Sequence, residues 1–382
     1  MNAKIGVLIP HSKTYPTMGK DYINGLKLGA KDSSITYSFI VEGIGLGADQ
    51  KVIIDKAQKL TNQDDVHVIT GLLGHIGIDE LEEYAKSLEV VLLYSDLGAT
   101  IPKETKENSW VFCNSFELYK SASLFGLHAA NWGHKNIAIS TSYYDAGYGL
   151  ASALGKTLYK SGGEFAGHFI TPLHPRENEP ELMKDFIQET KPDAIYAIHS
   201  GVYAKEHAEF LSKNNISKET PFYSTAFGID ANLISENEVL FENAKCISSW
   251  FLEEERDANK KFIKQYLNEY GKAPSAFTLL GYENGLILKE AIGQLKDDNL
   301  KSHQLKDVLT KIEVEGPRGN LSFNDKSNRT SFPHYLWKNV KHNGSYKKHK
   351  EETLDFSIKV TKSVLNETSN QTGGWNNAYL CD

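Results

Sequence analysis

Short unbroken hydrophobic runs alternate with amphipathic stretches along the first two thirds of the chain. The first run, residues 4–9, does not alternate polar and apolar side chains, which is typical of a strand buried on both faces of a parallel sheet. It ends at Pro10, and a loop marked by Gly19 leads into an amphipathic helix. Strands and helices alternate to about residue 250, which predicts βαβ units and an α/β fold with parallel central sheets.

The same patterns give approximate bounds for the elements. Strands are predicted at residues 4–9, 35–41, 66–70, 90–94, 111–113, 136–140, 164–170, 194–199, 221–224 and 244–247. Helices are predicted at residues 51–60, 79–87, 148–161, 179–189, 202–213, 255–270, 275–295 and 304–312. With 382 residues, the chain is longer than one hydrophobic core usually supports. Its two similar βα series therefore predict two lobes with a cleft between them.

The last third of the chain is mainly helical, followed by an extended, hairpin-like segment at residues 320–346. The helix at residues 275–295 is strongly apolar, and we expect it to pack on a sheet face with Glu283 and Lys289 turned outward. Residues 373–382 are rich in aromatic side chains. We expect this tail to dock on a lobe, with an interface role as the alternative.

The loop after the first strand is the first candidate site. Open α/β sheets bind ligands at the carboxyl ends of their strands. Hydroxyl and imidazole groups are concentrated there, on His11, Ser12, Thr14, Tyr15 and Thr17. The sequence therefore predicts a ligand-binding loop at this position.

Charge and cysteine content exclude several classes of protein. The net charge of -7 and the pI near 6.0 argue against a nucleic-acid partner, which would need clustered Lys and Arg. Cys113, Cys246 and Cys381 lie far apart with no CxxC or Cys/His spacing. We therefore expect neither a zinc site nor a redox dithiol. At Cys113 and Cys246 we expect buried free thiols.

Catalytic signatures are absent from the sequence. The GIGLG stretch at residues 43–47 lacks the GxGxxG spacing of a dinucleotide site and follows the second strand. There is no GxSxG, HExxH or P-loop motif. We expect a binding protein with no cofactor and no metal, and an enzyme acting in the same cleft is the less favoured alternative.

No apolar run reaches the length of a membrane span, and the first strand follows Met1 almost directly. Two alternatives remain for the location of the protein. It is either cytoplasmic, or extracytoplasmic with a leader peptide that has been removed.

Eight blocks, in order and with similar spacing, resemble the type I periplasmic binding proteins, especially the leucine/isoleucine/valine-binding proteins of ABC transporters. They include KIGVLIPHS, VITGLLGH, YSDLGATIP, PDAIYAIHSGVYAKEHAEFLSK and GYENGLILKEAI. The resemblance implies two flavodoxin-like (Rossmann-like) lobes joined by a three-strand hinge, which close on a small ligand. It places the crossovers near residues 114–118, 248–252 and 320–325. It also implies an ABC permease as membrane partner and a periplasmic or otherwise extracytoplasmic location.

With these crossovers, the first lobe is predicted to comprise residues 1–115 and 252–322. The second lobe is predicted to comprise residues 116–251 and 323–382.

In the first lobe, the resemblance places the ligand's carboxylate in the loops after the third and fourth strands, near Gly74 and His75. Helix N-termini in such loops favour anions. His75 stands where the amino-acid binders have a serine, and the alternative is that it only caps the next helix or faces solvent. In the second loop, one register puts Asp96 and Gly98 at the contact positions. The other, which we favour, puts Gly98 and Thr100 there.

In the second lobe, the chain departs from the family pattern. Tyr144 is the nearest aromatic residue to the family tyrosine that covers the ligand, and the second tyrosine position falls near Ser200 and Tyr203. The glutamate that pairs with the ammonium group is replaced by Ala226, beside Phe227. An amino-acid ligand would therefore need another carboxylate, and the candidates are Asp96, Asp145 and Asp230.

The predicted function is an extracytoplasmic solute-binding protein of an ABC importer. Its predicted ligand is a small polar compound, either an amino acid or a related molecule. The alternative is a soluble sensor of the same fold that signals to a regulatory partner.

Overall fold

The computed structural model describes residues 2–31, 34–102, 109–174, 176–213, 220–229, 244–295, 302–342, 345–354 and 374–382. Two large sheets, each flanked by helices, form an α/β molecule, which confirms the predicted fold class.

The first sheet has five parallel strands in the order β2-β1-β3-β4-β5. They are β1 Asn2–Ile9, β2 Thr36–Gly43, β3 Val68–Leu72, β4 Val91–Asp96 and β5 Val111–Ser115. Ile5 of β1 is paired with Phe39 on one side and with Val68 on the other, so β1 is an inner strand. Burial on both faces explains why its sequence does not alternate.

The second sheet has the order β14-β13-β10-β9-β8-β6-β7. Its strands are β6 Asn136–Ser142, β7 Glu164–Thr171, β8 Ala194–Ile198, β9 Phe222–Ser224, β10 Lys245–Ser248, β13 His334–His342 and β14 Ser345–Leu354. The strands from β6 to β10 are parallel, and the hairpin of β13 and β14 adds an antiparallel edge beside β10. The hairpin predicted from the sequence is thus present, although it begins and ends later along the chain. Two short strands, β11 Val314–Gly316 and β12 Gly319–Leu321, pair separately.

The described helices include, close to their bounds, all those that were predicted with bounds. They are α1 Met18–Ala30, α2 Gln50–Asn62, α3 Ile78–Leu88, α4 Leu118–His128, α5 Leu150–Lys160, α6 Glu179–Thr190, α7 Gly201–Lys213, α8 Ala226–Ile229, α9 Asp257–Tyr270, α10 Ala276–Gly293 and α11 Ser302–Leu309. The long helix α4 was not predicted. Nearly every residue of it is buried, including Lys120 and Ser121, so its sequence has no clear polar face.

The outward orientation predicted for Glu283 is wrong. Helix α10 is buried over most of its surface, and Glu283 is fully buried within it. The carboxylate of Glu283 accepts hydrogen bonds from Arg318, whose side chain is also fully buried. Lys289 lies near the surface, and its ammonium group donates to the carbonyl of Lys31.

Arg318 ties the crossovers between the two sheets together. Besides Glu283, its guanidinium donates to the carbonyl of Ser115 at 2.8 Å, to the side chain of Asn114 at 2.8 Å and to Ser249 Oγ at 3.4 Å. Asn114 and Ser115 end β5, and Ser249 follows β10, which are the points where the chain leaves each sheet. We call Arg318, Glu283, Asn114, Ser115 and Ser249 the hinge network. The two buried charges of this network, on Arg318 and Glu283, are paired with each other and hydrogen-bonded, as charges in a low-dielectric interior must be.

Candidate functional site

The carboxyl ends of the parallel strands in both sheets face a common cleft. In the first sheet, the loops after β1, β2, β3 and β4 reach it. In the second sheet, the loops after β6, β8 and β9 reach it. This is where open parallel sheets bind ligands, because each strand order reverses there and helix N-termini point into the crevice.

The two lobes touch across the cleft, at what we call the closing contact. The backbone N–H of Gly201 donates to the hydroxyl of Tyr15 at 2.7 Å. The ring of Tyr15 packs edge-on against Phe227 at 6.2 Å between centroids. A second bridge runs from the N–H of Gly149 to the carbonyl of Ala99 at 3.0 Å.

A buried carboxylate, Asp145, lies on the second-lobe side of the cleft and is only 1% exposed. Ser142 Oγ donates to it at 2.6 Å, and the N–H and Oγ of Ser200 donate at 3.0 and 2.9 Å. The phenol of Tyr379 donates to it at 2.7 Å. Burial raises the pKa of Asp145 to about 6, and the bonds from Ser142, Tyr379 and Ser200 oppose the rise.

Aromatic side chains surround this carboxylate. The ring of Tyr379 stacks on Tyr144 at 6.3 Å and meets Tyr148 edge-on at 4.7 Å and Phe227 edge-on at 6.4 Å. The hydroxyls of Tyr144 and Tyr148 lie 2.9 Å apart in a hydrogen bond. Burial raises the pKa of each of these three tyrosines, so they stay neutral phenols. We call Tyr144, Tyr148, Phe227 and Asp145 the aromatic cage, and Tyr379 occupies it.

Tyr379 belongs to the tail, residues 374–382, which runs through the cleft and contacts the first lobe. The carboxylate of Asp382 accepts bonds from Ser12 Oγ at 3.1 Å and from the N–H and Oγ1 of Thr14 at 3.0 and 2.7 Å. Burial raises the pKa of this carboxyl, but the bonds from Thr14, Ser12 and Lys13 outweigh that effect and lower it. The N–H of Ala378 donates to the carbonyl of Leu46 at 3.0 Å.

The same tail contacts the second lobe. The indole N–H of Trp375 donates to the carbonyl of Tyr144 at 2.8 Å. The hydroxyls of Tyr144 and Tyr148 lie 3.5 and 3.4 Å from the carbonyls of Cys381 and Asn377. Because each hydroxyl has one hydrogen and one of the two donates to the other, only one of these carbonyls accepts a hydrogen bond at a time. The sequence led us to expect docking on one lobe, whereas the tail binds to both.

Two glycines allow this close approach. A Cβ atom on Gly147 would lie 1.7 Å from Nε1 of Trp375, and one on Gly74 would lie 2.8 Å from the Cα of Ala378. Neither separation is possible between non-bonded atoms. The sequence assigned Gly74 to ligand contact, and in this structure its neighbour is the tail.

Beside Tyr379 is a cavity of about 140 Å³. It lies between the loops that follow β3 and β4, and Tyr148 and Tyr379 close one side of it. The predicted site residues that line it are Gly74, His75, Asp96, Gly98 and Thr100. His75 is half-buried at this wall.

Asp96 has a charged partner, Arg329. Arg329 Nη2 donates to its carboxylate at 2.6 Å, and Ser115 Oγ donates to it at 2.5 Å. Since the positive charge of Arg329 already matches it, Asp96 is poorly placed to pair with a ligand ammonium group. Ala226, at the position where the resemblance places the family's glutamate, is buried, and Asp230 lies outside the described residues.

The structure divides the predicted site residues into two groups. Tyr144, Ser200 and Phe227 surround the tail, with Tyr15 at the closing contact of the lobes. Tyr203, on α7, is half-buried, and burial together with the nearby charge of Asp382 raises its pKa. The other predicted residues line the neighbouring cavity. Sequence reasoning missed Tyr148, although its tyrosine-rich loop YYDAGYG was a usable signal.

The three cysteines are free and buried, as expected for Cys113 and Cys246. In the part of the chain that the structure describes, no cluster of three or more His, Cys, Asp or Glu side chains could hold a metal. The described helices include none that is both long enough and apolar enough to cross a membrane.

The sequence pattern of the family described as periplasmic binding protein matches residues 2–345. The chain belongs to this family. Membership confirms the family recognised from the sequence blocks and implies an extracytoplasmic location. The family is one of binding proteins and not of enzymes, as expected. Among curated proteins, none has a sequence that matches this chain.

Solved structures share the fold at low sequence identity. An ABC transporter substrate-binding protein from Sphaerobacter thermophilus has a TM-score of 0.81 at 18% identity, with 93% of this chain and 98% of that chain covered. A solute binding protein of an ABC transporter from Rhodopseudomonas palustris BisB5, in complex with 3,4-dihydroxybenzoic acid, has a TM-score of 0.75 at 20% identity, covering 93% and 97%. The leucine binding protein LivK of Thermotoga maritima has a TM-score of 0.65 at 16% identity, covering 92% and 99%.

Proposed function

We propose that this protein is the extracytoplasmic solute-binding component of an ABC importer, which captures a small ligand between its lobes and presents the closed form to a membrane permease. Family membership supports this proposal, as does the closing contact between Tyr15 and Gly201. We also propose the lobe bounds predicted above, residues 1–115 with 252–322 and residues 116–251 with 323–382. A ligand that touches both lobes stabilises the closed form, because it binds that form more tightly than the open one.

We further propose that the ligand is a small hydroxylated aromatic compound. The aromatic cage carries this proposal, because it holds a phenol whose hydroxyl donates to the buried acceptor Asp145. Ring faces and edges of Tyr144, Tyr148 and Phe227 suit a flat aromatic ring. The R. palustris protein in complex with 3,4-dihydroxybenzoic acid shows that this fold can hold such a molecule.

An amino acid is the second candidate, because Asp145 is a carboxylate that could pair with an ammonium group. Asp145 already accepts bonds from Ser142 and Ser200, which leaves less of its capacity for a cation. Ala226 supplies no charge at the family's glutamate position. We therefore favour a neutral hydroxyl donor over an ammonium group at this point of the cleft.

Thermal unfolding with a ligand panel tests the ligand class. The panel contains 3,4-dihydroxybenzoate, benzoate and leucine. A ligand at about a hundredfold over its Kd stabilises the folded protein by about 2.7 kcal/mol, which raises the Tm by several degrees. We expect the largest rise with 3,4-dihydroxybenzoate and a smaller one with benzoate, which has no hydroxyl to donate to Asp145. A rise with leucine alone would contradict the aromatic assignment and favour the amino-acid alternative.

Substitutions test the site residues. Tyr144→Ala removes a cage wall, and His75→Ala alters the neighbouring cavity. We expect Tyr144→Ala to weaken binding of 3,4-dihydroxybenzoate by roughly tenfold or more, measured by calorimetry. Tyr159→Ala is the matched control, because Tyr159 is 59% exposed on α5. Unchanged affinity in both the Tyr144 and His75 variants would exclude this cleft as the binding site.

An uptake assay separates an importer component from a sensor. Cells that lack the gene should take up labelled 3,4-dihydroxybenzoate more slowly, and the gene supplied in trans should restore the rate. Uptake that does not depend on the gene would favour the sensor.

A further inference from the structure

We propose that the tail, residues 374–382, is an internal ligand of the cleft, and that a soluble ligand binds by displacing it. This inference rests on the proposed function, because it assigns the tail and the soluble ligand to the same cage. It differs from that proposal in naming a segment of this chain as the competing occupant.

The first support is the set of groups that the tail uses. Tyr379 fills the aromatic cage and donates to Asp145, while Asp382 accepts from Ser12 and Thr14 on the opposite lobe. The loop with Ser12 and Thr14 is the one that the sequence singled out as a ligand-binding loop. The cleft thus binds a hydroxylated aromatic ring and an acceptor group that both belong to this same chain.

The second support is burial. Leu380 is 1% exposed and Cys381 is fully buried, whereas Gly374 and Asn376 at the start of the tail are exposed. The tail therefore enters the cleft from the surface and becomes enclosed between the lobes. A segment resting on the outside of one lobe would keep an exposed face along its length.

The third support is that Tyr379 leaves no room in the aromatic cage for a second ring. The ring of Tyr379 lies 4.7 Å from the ring of Tyr148 and 6.3 Å from that of Tyr144, so no second ring fits between them. A soluble aromatic ligand can occupy the cage only after Tyr379 leaves it.

Two consequences follow for binding. Because the tail bonds to both lobes, it favours the closed form in the absence of a soluble ligand. Because the tail is tethered, it competes at a high effective concentration. The apparent affinity for a soluble ligand is therefore the affinity for an empty cage multiplied by the fraction of molecules whose cage is empty.

The thiol of Cys381 provides a direct test, since it is fully buried while the tail is docked. Labelling by iodoacetamide is followed at each cysteine by peptide mass spectrometry in the full chain. In the native protein we expect Cys381 to react far more slowly than in the denatured chain. In the double variant Tyr379→Ala, Asp382→Asn, we expect Cys381 to react roughly tenfold faster or more, because local opening becomes easier.

Internal and matched controls accompany this measurement. Cys113 and Cys246 are buried in strands and should keep their slow rates in the double variant, which shows that the fold is intact. Asn376→Ala changes an exposed residue of the same tail and should leave the rate at Cys381 unchanged. The inference is overturned if Cys381 of the native protein reacts as fast as in the denatured chain, or if the double variant reacts no faster than the native protein.

The second arm uses 3,4-dihydroxybenzoate as the competitor. It should accelerate labelling of Cys381 in the native protein and bind roughly tenfold more tightly to the double variant. Binding that leaves Cys381 protected would overturn displacement while leaving the proposed function in place. If 3,4-dihydroxybenzoate binds to neither protein, the proposed ligand class fails, and the labelling rates without ligand still decide whether the tail occupies the cleft.

Discussion

The hinge network and the cleft both contain buried carboxylates, but they obtain their partners in different ways. In the hinge network, Glu283 is paired with Arg318, and both are fully enclosed by the packed crossovers. In the cleft, Asp145 is held by neutral hydroxyl and amide donors, and one of these, Tyr379, comes from a tail more than two hundred residues away in sequence. A pair of opposite charges is a permanent structural feature, whereas a neutral donor on a tail can be exchanged.

On the proposed function, this difference separates the part of the molecule that stays fixed from the part that opens. A buried ion pair that loses one partner leaves an uncompensated charge, so the hinge network resists change. A neutral hydroxyl leaving Asp145 can be replaced by water or by a ligand hydroxyl at little net cost. On the proposed function, the lobes close and open around crossovers that keep their geometry.

The largest expected effect is in the hinge network. Glu283→Gln removes the negative charge beside Arg318 and should lower the free energy of unfolding by about 3–5 kcal/mol. Denaturant unfolding measures the change. Glu290→Gln is the matched control, because Glu290 is exposed on the same helix, and it should have little effect. An equal change in both variants would show that the hinge network contributes no special stability.

Asp145 should produce a smaller, pH-dependent effect. Its pKa is about 6 in the folded protein and near 4 in the unfolded chain. Between these values the folded protein keeps a proton that the unfolded chain has lost, so stability falls as the pH rises. We expect this group to lower the free energy of unfolding by up to about 3 kcal/mol between pH 4 and pH 6.

Unfolding by denaturant at several pH values measures this contribution. The variant Asp145→Asn has no titrating group at this position, so its stability should fall less over the same interval. Asp257→Asn is a control at an exposed carboxylate. Parallel pH profiles for the native protein and Asp145→Asn would contradict a raised pKa at Asp145.

The smallest expected effect is at the closing contact. Tyr15→Phe keeps the ring but leaves the N–H of Gly201 without its acceptor, which should cost the closed form about 1 kcal/mol. Because the two lobes enclose the tail, a weaker contact between them should make labelling of Cys381 roughly fivefold faster. Labelling of Cys113 should not change. Equal acceleration at both cysteines would show that Tyr15 supports the whole fold and not the closed cleft in particular.

The strands were predictable because their signal is local. An inner parallel strand such as β1 is buried on both faces, and a short apolar run that stops at a polar turn is the pattern such burial produces. Helix α4 was missed for the related reason that a helix buried on all sides has no amphipathic period to detect.

The orientation of Glu283 could not be predicted, because its partner Arg318 lies 35 residues away. A charged residue in an apolar helix usually lies on the side that faces solvent, but helix α10 has almost no solvent-facing side. The candidate site was predictable only in part for the same reason. The loops with Tyr15, Gly74 and Tyr144 follow from strand ends, whereas the docking of Tyr379 depends on a long-range contact.

The sequence by itself determined the strand and helix series, the two-lobe α/β class and the loops that face the cleft, because hydrophobic periodicity and strand order act over short distances along the chain. Only the tertiary structure decided which groups meet in those loops. The pairing of Arg318 with Glu283, and the presence of Tyr379 beside Asp145, depend on bringing distant segments together into a water-excluded space, where each buried polar group must find a partner.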